Sequence, residues 1–240
     1  MDAAILTIGN EIVSGDTENT NASWLSRRLE QLGVKVVLSV AVPDELERIV
    51  EVVRREHPRV DHLLVTGGLG GTPDDITREA LAAAFAVPQE LVEALADELR
   101  ARFTGNPEYV ARWAALPAGS QPLVNPRGGA PGFRIENVWV MPGLPREMEA
   151  MFDRYAESFR GAAPIDSWRR RYRTRESDIT GVLVEATTRW PQVRVGSYPS
   201  FHANGPEVEV VLKSADGNAL AEATAWIEPE LDARGAPIGG

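Results

Sequence analysis

The stretch Leu63-Leu64-Val65-Thr66-Gly67-Gly68-Leu69-Gly70-Gly71-Thr72-Pro73-Asp74-Asp75-Ile76-Thr77 decides the architecture. An apolar, strand-like run feeds four glycines within five residues, and two adjacent carboxylates precede a helical pattern. Glycine lets a backbone approach a ligand closely and take φ > 0. Free N–H groups at a helix start attract anions such as phosphate. Asp74 and Asp75 beside such a site suggest a divalent cation, or a base that activates water. The bland alternative is an ordinary strand-to-helix turn. Thr72 before Pro73 fits an N-cap with Pro at N1, so part of the motif has a structural reading. The loop matches neither the P-loop nor the dinucleotide fingerprint.

Outward from this stretch the chain alternates strand and helix. Ala3–Ile8 reads as a buried strand closed by Gly9-Asn10, and Asn19–Leu32 as a helix with Ala22, Leu25, Leu29 and Leu32 on one face. Val34–Val42 is a strand and Asp44–Glu56 an amphipathic helix with Asp44 as its N-cap. His62–Val65 leads into the glycine loop, and Asp75–Phe85 is the helix beyond it. Such alternation predicts βαβ units and a mostly parallel sheet covered on both faces. Gln89–Phe103 and Tyr109–Leu116 read as helical, Phe133–Ile135 and Val138–Met141 as a hairpin, and Pro145–Phe159 as a helix. Gly161-Ala162-Ala163-Pro164 is the linker candidate. Beyond it, strands are expected at Trp168–Thr174, Val193–Ser197 and Glu207–Lys213, with helices at Glu176–Thr188 and Ala219–Leu231. The expected organisation is a three-layer α/β/α domain over residues 1–163 and a small α+β subdomain over residues 164–240.

Other segments join the glycine loop at the carboxyl ends of the strands, where open α/β sheets bind ligands. Gly9-Asn10-Glu11-Ile12-Val13-Ser14-Gly15 follows the first strand, with Asn19, Thr20 and Asn21 beyond. Glu11 is read as a ligand contact against the alternative of an exposed loop glutamate. Asn125 to Gly132 would wall a pocket, with Arg127 meeting a phosphate, or would be a rigid surface loop. Met141-Pro142-Gly143-Leu144-Pro145-Arg146-Glu147 opens a second helix N-terminus. There Glu147 either meets ligand or favours the helix dipole. Arg169, Arg170, Arg171, Arg173 and Arg175 read as a solvated, ion-paired surface, and His202 as a loop residue.

Composition narrows the partners. The 35 acidic and 25 basic residues give a formal charge of −10, which argues against nucleic-acid binding. There is no cysteine, so disulfides and thiolate metal sites are excluded. No apolar run approaches the ~20 residues that span a bilayer, and the first residues lack a secretory pattern. A cytoplasmic protein is expected.

Together these motifs resemble the molybdopterin-binding-like domain of the competence-damage-inducible protein A (CinA) family, and its counterpart in eukaryotic FAD synthase. The resemblance is carried by Gly9–Gly15, Thr20-Asn21, Thr66–Thr77, Asn125–Phe133, Pro142–Met148 and Gly196-Ser197-Tyr198-Pro199. It departs at Asn10, where many relatives carry Asp or Thr, and at Gly71, where the family has a proline whose loss should loosen the loop. The amidase domain of longer relatives would follow where this chain ends, so nicotinamide-mononucleotide deamidation is not expected.

The resemblance implies metal-dependent hydrolysis of a nucleotide pyrophosphate such as ADP-ribose or FAD. Glu11, Asp74 and Asp75 would be catalytic, with Asp74 and Asp75 holding Mg²⁺, Mn²⁺ or Co²⁺. Asn21, Thr66, Gly67, Gly68, Gly70, Gly71, Thr72, Thr77, Asn125, Gly143 and Glu147 would bind substrate and its phosphate. The alternative is a non-hydrolytic module for molybdopterin. A homo-oligomer, most simply a dimer, is expected, with a nucleotide or pterin phosphate as its small-molecule partner and no membrane association.

Overall fold

A computed structural model describes residues 1–103, 106–161 and 163–238. The chain divides into two compact units, Met1–Ala162 and Ala163–Gly240. Within the expected linker, Ala162 lies outside the described residues.

The first unit runs β1 (Asp2–Ile8), α1 (Asn10–Ser14), α2 (Thr20–Gln31), β2 (Lys35–Val42), α3 (Leu46–Glu56), β3 (His62–Thr66) and α4 (Thr77–Phe85). It continues with β4 (Gln89–Leu91), α5 (Glu93–Arg102), α6 (Pro107–Ala111), β5 (Ala115–Pro117), β6 (Gln121–Leu123), β7 (Gly132–Ile135), β8 (Val138–Met141) and α7 (Pro145–Tyr155). The main sheet has the order β2-β1-β3-β8-β7-β6. β2, β1, β3 and β8 are parallel, and β7 and β6 run antiparallel at one side.

Alternation along the central strands sends successive side chains to opposite faces. Leu6, Leu63, Val65 and Val140 pack with Ile49 and Val53 of α3 and Leu81 of α4. Ile5, Leu64 and Met141 pack with Leu25 and Leu29 of α2 and Met151 and Phe152 of α7. Burying each such side chain contributes ~1.5–3 kcal/mol, so both faces are held, and the unit is the expected α/β/α sandwich. Among the described residues no helix is long and apolar enough to cross a membrane.

Several local expectations are corrected. Gln89–Leu91 is a strand, because it pairs antiparallel with Ala115–Pro117. Helix α5 therefore begins only at Glu93, and the expected helix to Leu116 ends at Ala111 before a 3-10 turn. Asp44 does not cap α3; Glu45 stands at that position. Helix α4 starts at Thr77, five residues beyond Thr72, so Thr72 is not its cap. Gly9–Gly15 contains the short helix α1.

The second unit contains β9 (Asp166–Arg173), α8 (Glu176–Arg189), β10 (Arg194–His202), β11 (Gly205–Ser214), α9 (Gly217–Asp232) and β12 (Ala236–Ile238). Its antiparallel sheet has the order β10-β11-β9-β12. Tyr172, Val208, Val210 and Leu212 form the core with Ile179 and Val182 of α8 and Ile227 and Leu231 of α9. Strand β10 extends past Ser197 because the hairpin closes only at His202 opposite Gly205, whose φ is +107°. His202 is thus a strand residue. Arginines of β9 meet acids: Arg170 pairs with Glu228, Arg171 with Glu209 at 3.9 Å and Arg173 with Glu207 at 3.8 Å.

Candidate functional site

Four segments leave the carboxyl edge of the parallel strands in the first unit and surround a cleft of 520 Å³. Glu11 stands after β1, Asp44 after β2, the glycine loop after β3 and Gly143 after β8; all line the cleft. Glu147 of α7 and Gly129 close the far wall.

The glycine loop is held from two sides. The Asp75 carboxylate accepts the amides of Gly70 at 2.9 Å and Thr72 at 2.8 Å, and the Thr72 hydroxyl. On the other side buried Arg78 donates to the carbonyls of Leu69 at 2.9 Å and Gly70 at 2.8 Å. In a trans peptide the C=O and the following N–H point oppositely. Arg78 therefore turns the amides of Gly70 and Gly71 away from itself. The Gly70 amide meets Asp75, and the Gly67 amide is taken by Met141 O at 3.2 Å. The phosphate grip expected of Gly67 to Gly71 thus narrows. Among the described residues, the amides of Gly68, Leu69 and Gly71 meet no protein acceptor.

Backbone geometry explains two of the glycines. Gly67 has φ +105°, and a Cβ there would stand 2.1 Å from Ile8 O. A Cβ on Gly143 would stand 3.3 Å from the Gly67 α-carbon, so the loops after β3 and β8 lie main chain to main chain. Gly71 backs onto the Tyr109 ring, 2.2 Å from where a Cβ would stand. The loop thus packs against neighbours on several sides.

The carboxylates crowd one another. Asp44 Oδ2 accepts the Asn10 amide at 2.8 Å, and Asn10 Oδ1 accepts the Asp44 amide at 3.3 Å. Burial, and then the negative charges of Asp74, Glu11 and Asp75, hold the Asp44 carboxyl above its ordinary value, against the lowering effect of the Asn10 amide. Asp74 is held below the ordinary value by the neighbouring Thr72 hydroxyl, whose proton it shares with Asp75, and by its own backbone amide. Glu11 folds back over Gly9, within 2.6 Å of where a Cβ would be. Among the described residues no three His, Cys, Asp or Glu side chains converge into a ready-made metal centre. Asp75 already accepts three hydrogen bonds, and a carboxylate has about four acceptor positions.

The remaining expected contacts are placed differently. Thr77 is fully buried and donates to Gly67 O at 2.9 Å, which ties α4 to the loop from behind. Asn125 is buried; its Nδ2 donates to Glu147 Oε2 at 2.7 Å and Ala130 O at 3.0 Å. It therefore orients Glu147. Arg127 is exposed. Asn21 and Thr66 do not line the main cleft but a smaller cavity beside it.

Three residues were not expected at the site. Asp44 was legible from its place just after a parallel strand, where ligands bind. Arg78 carried a weak signal, an arginine in the first turn of a helix with an apolar inner face. Trp113 lines the cleft with its indole N–H buried and unpartnered, and no pattern marked it.

The family described as a probable molybdopterin binding domain matches residues 4–160, and that of the FAD synthase middle domain matches residues 171–236. A protein of Archaeoglobus fulgidus is 36% identical over 210 residues, covering 83% of this chain and 86% of the relative. A CinA-like protein of Frankia casuarinae is 42% identical over 165 residues, covering 63% of this chain and 38% of the relative. Among solved structures, the chain is similar to CinA of Thermoplasma acidophilum, a protein of unknown function, with a TM-score of 0.62 and 30% identity. That likeness covers 66% of this chain and 97% of the other.

Proposed function

The chain belongs to the CinA-like family of probable molybdopterin-binding domains, and on that premise we propose that its cleft binds and hydrolyses a nucleotide pyrophosphate of the ADP-ribose or FAD type with the help of a divalent cation. The observation that carries this reading is the placement of Glu11, Asp44, Asp74 and Asp75 on the same cleft as the glycine loop. Acids beside an anion-binding loop would repel a pyrophosphate unless a cation lies between them. The raised Asp44 carboxyl, with three like charges around it, fits a group that a cation would relieve.

The lack of a ready-made centre among the described residues also fits, because Mg²⁺-type ions are commonly held by one or two carboxylates together with substrate phosphates. Asp74 and the remaining acceptor position of Asp75 would hold the ion, with Glu11 or Asp44 beside them; the ion would polarise phosphoryl oxygens and acidify a bound water. The amides of Gly68, Leu69 and Gly71 would take phosphoryl oxygens. Glu11 or Asp44 would accept the proton of the attacking water as the bridging P–O bond breaks. The match of the second unit to an FAD synthase domain supports a flavin or adenine nucleotide as substrate.

Purified protein incubated with ADP-ribose or FAD and Co²⁺, Mn²⁺ or Mg²⁺ is expected to release AMP. No AMP with any of the three ions defeats the reading. Tight molybdopterin binding without nucleotide turnover would move the assignment to a binding module.

A further inference from the structure

Strand β10 is an edge of the second unit's sheet; among the described residues β11 is its one strand neighbour. An open edge offers unpaired N–H and C=O groups to another strand, and folded proteins ordinarily keep such edges short, charged or covered. The opposite edge, β12, has three residues. β10 has nine, and no charged side chain occurs from Val195 to Phe201. Pro199 lacks an N–H and withholds at most one hydrogen bond from a neighbouring strand. The motif Gly196-Ser197-Tyr198-Pro199 falls in this stretch and has no part in the proposed hydrolysis.

Two aromatic rings stand out from the same strand: Tyr198 is 58% exposed and Phe201 86%. Alternation puts Val195, Ser197, Pro199 and Phe201 on the face of the core residues Val208 and Leu212, and Tyr198 on the other face. One exposed apolar side chain needs no explanation, but two on a long uncharged edge mark an interaction surface. Strand β2 is also an uncharged edge from Val36 to Val42, yet its exposed positions there are Val37, Ser39 and Ala41, which offer little area.

The strand is its own complement. Laid antiparallel against a second copy in full overlap, Arg194–His202 has its midpoint at Tyr198. Tyr198 then meets the partner's Tyr198 on a twofold axis, and Arg194 meets the partner's His202, so no two carboxylates and no two arginines oppose each other. Phe201 stands opposite the partner's Val195, a half-buried residue at the margin of the core. Directly opposed residues share a face, and aromatic pairs and aromatic–β-branched pairs are favourable there. At ~150–250 Å² for a buried aromatic ring, the exposed parts of Tyr198 and Phe201 come to roughly 600 Å² in the pair; strand edges and Val195 carry this toward the ~1,000 Å² of a specific interface. A twofold contact is closed and consumes the long edge of both copies. We propose that β10 is a homodimer interface, in which two copies of this chain join the sheets of their second units edge to edge, antiparallel, about an axis at Tyr198. The inference is independent of what the cleft binds.

Sedimentation equilibrium and thiol cross-linking test it on the full chain. The wild type should sediment as a dimer at micromolar concentration. Phe201→Asp sets a carboxylate at the apolar contact in both halves and should weaken the dimer by at least about 30-fold, the scale of an aromatic anchor. Its circular dichroism should stay unchanged, because the ring is exposed. The chain has no cysteine, so single substitutions report the register. A short bifunctional thiol reagent should join Tyr198→Cys to its own copy, and Val195→Cys to Phe201→Cys in a mixture of the two variants. It should not join Phe201→Cys to itself, because those positions lie about six residues apart along the pair, ~20 Å. A wild type that sediments as one subunit at its highest soluble concentration would overturn the proposal. So would a dimer that Phe201→Asp leaves intact, or a dimer in which Tyr198→Cys fails to join its copy.

Discussion

Asp75 and Arg78 grip the same run of main chain from opposite sides, the carboxylate holding the amides of Gly70 and Thr72 and the guanidinium holding the carbonyls of Leu69 and Gly70. Three residues apart in sequence, they convert a glycine-rich segment, intrinsically the most mobile kind of chain, into a surface with a set orientation. Together they determine which peptide N–H groups of the loop are left without a protein acceptor among the described residues.

Removing the guanidinium strands both carbonyls. Arg78→Met is expected to cost about 1–3 kcal/mol for each buried acceptor left unpaired. Arg78→Lys should fall between, since an ammonium lacks the planar fork that reaches two carbonyls at once. Urea denaturation reads both values. An unchanged midpoint for Arg78→Met would show that the loop does not depend on this contact.

The burial of Asp44 and the crowding around it have a pH signature. Its carboxyl is raised above 3.8, so the folded chain holds this proton more tightly than the unfolded chain does. Ionisation therefore costs stability as pH rises through the unfolded value toward the folded one. Asp44→Asn should raise the thermal midpoint at pH 7, with the gain vanishing near pH 3. The same variant should release AMP from ADP-ribose at least ten times more slowly, and added divalent ion should stabilise the wild type more than the variant. A variant less stable than the wild type at pH 7 without added ion would refute the claim that burial and like charge together strain this carboxylate.

His62, at the start of β3, works in the opposite sense. It is 8% exposed, packs against Trp139 and Phe159, and neither ring nitrogen has a partner. Burial lowers its pKa below 6.5, and the positive charge of Arg134 adds to this against the opposing effect of Asp61. The unfolded chain takes the proton first, so stability falls as pH drops through 6.5 and below. His62→Leu should flatten that fall between pH 7 and pH 5 without loss at pH 8. Parallel stability curves for variant and wild type would exclude His62 as its source.

Gly67 tests the close approach of the loops. Its φ is +105°, and Ile8 O lies 2.1 Å from where a Cβ would stand. Gly67→Ala should therefore cost more than about 1 kcal/mol. Gly15, also at positive φ but with nothing within 4 Å of a Cβ, is the control: Gly15→Ala carries only the backbone strain and should cost less. Equal losses in the two variants would show that contact with Ile8 adds nothing.

The order of strands and helices was legible in the sequence because hydrophobic periodicity is local. Ile5, Leu64, Leu25 and Leu29 announce their faces by spacing alone, and the glycines after β3 announce a sharp turn by composition. The parallel sheet followed, since a strand-helix-strand chain has few other ways to cover both faces. What spacing does not carry is a partner distant in the chain. Nothing near Gln89 tells that it pairs with Pro117, and so a strand reads as helix. Asp44 likewise has the appearance of a cap, and only the meeting of β1 and β2 at their carboxyl ends brings it to Asn10, Glu11 and Asp74. The tertiary structure alone decided that Asp75 occupies the amides of Gly70 and Thr72, and that Asn21 and Thr66 line a cavity apart from the cleft. Local sequence sets which faces of an element are apolar, but the destination of a polar side chain depends on which segments the fold brings within a hydrogen bond's reach.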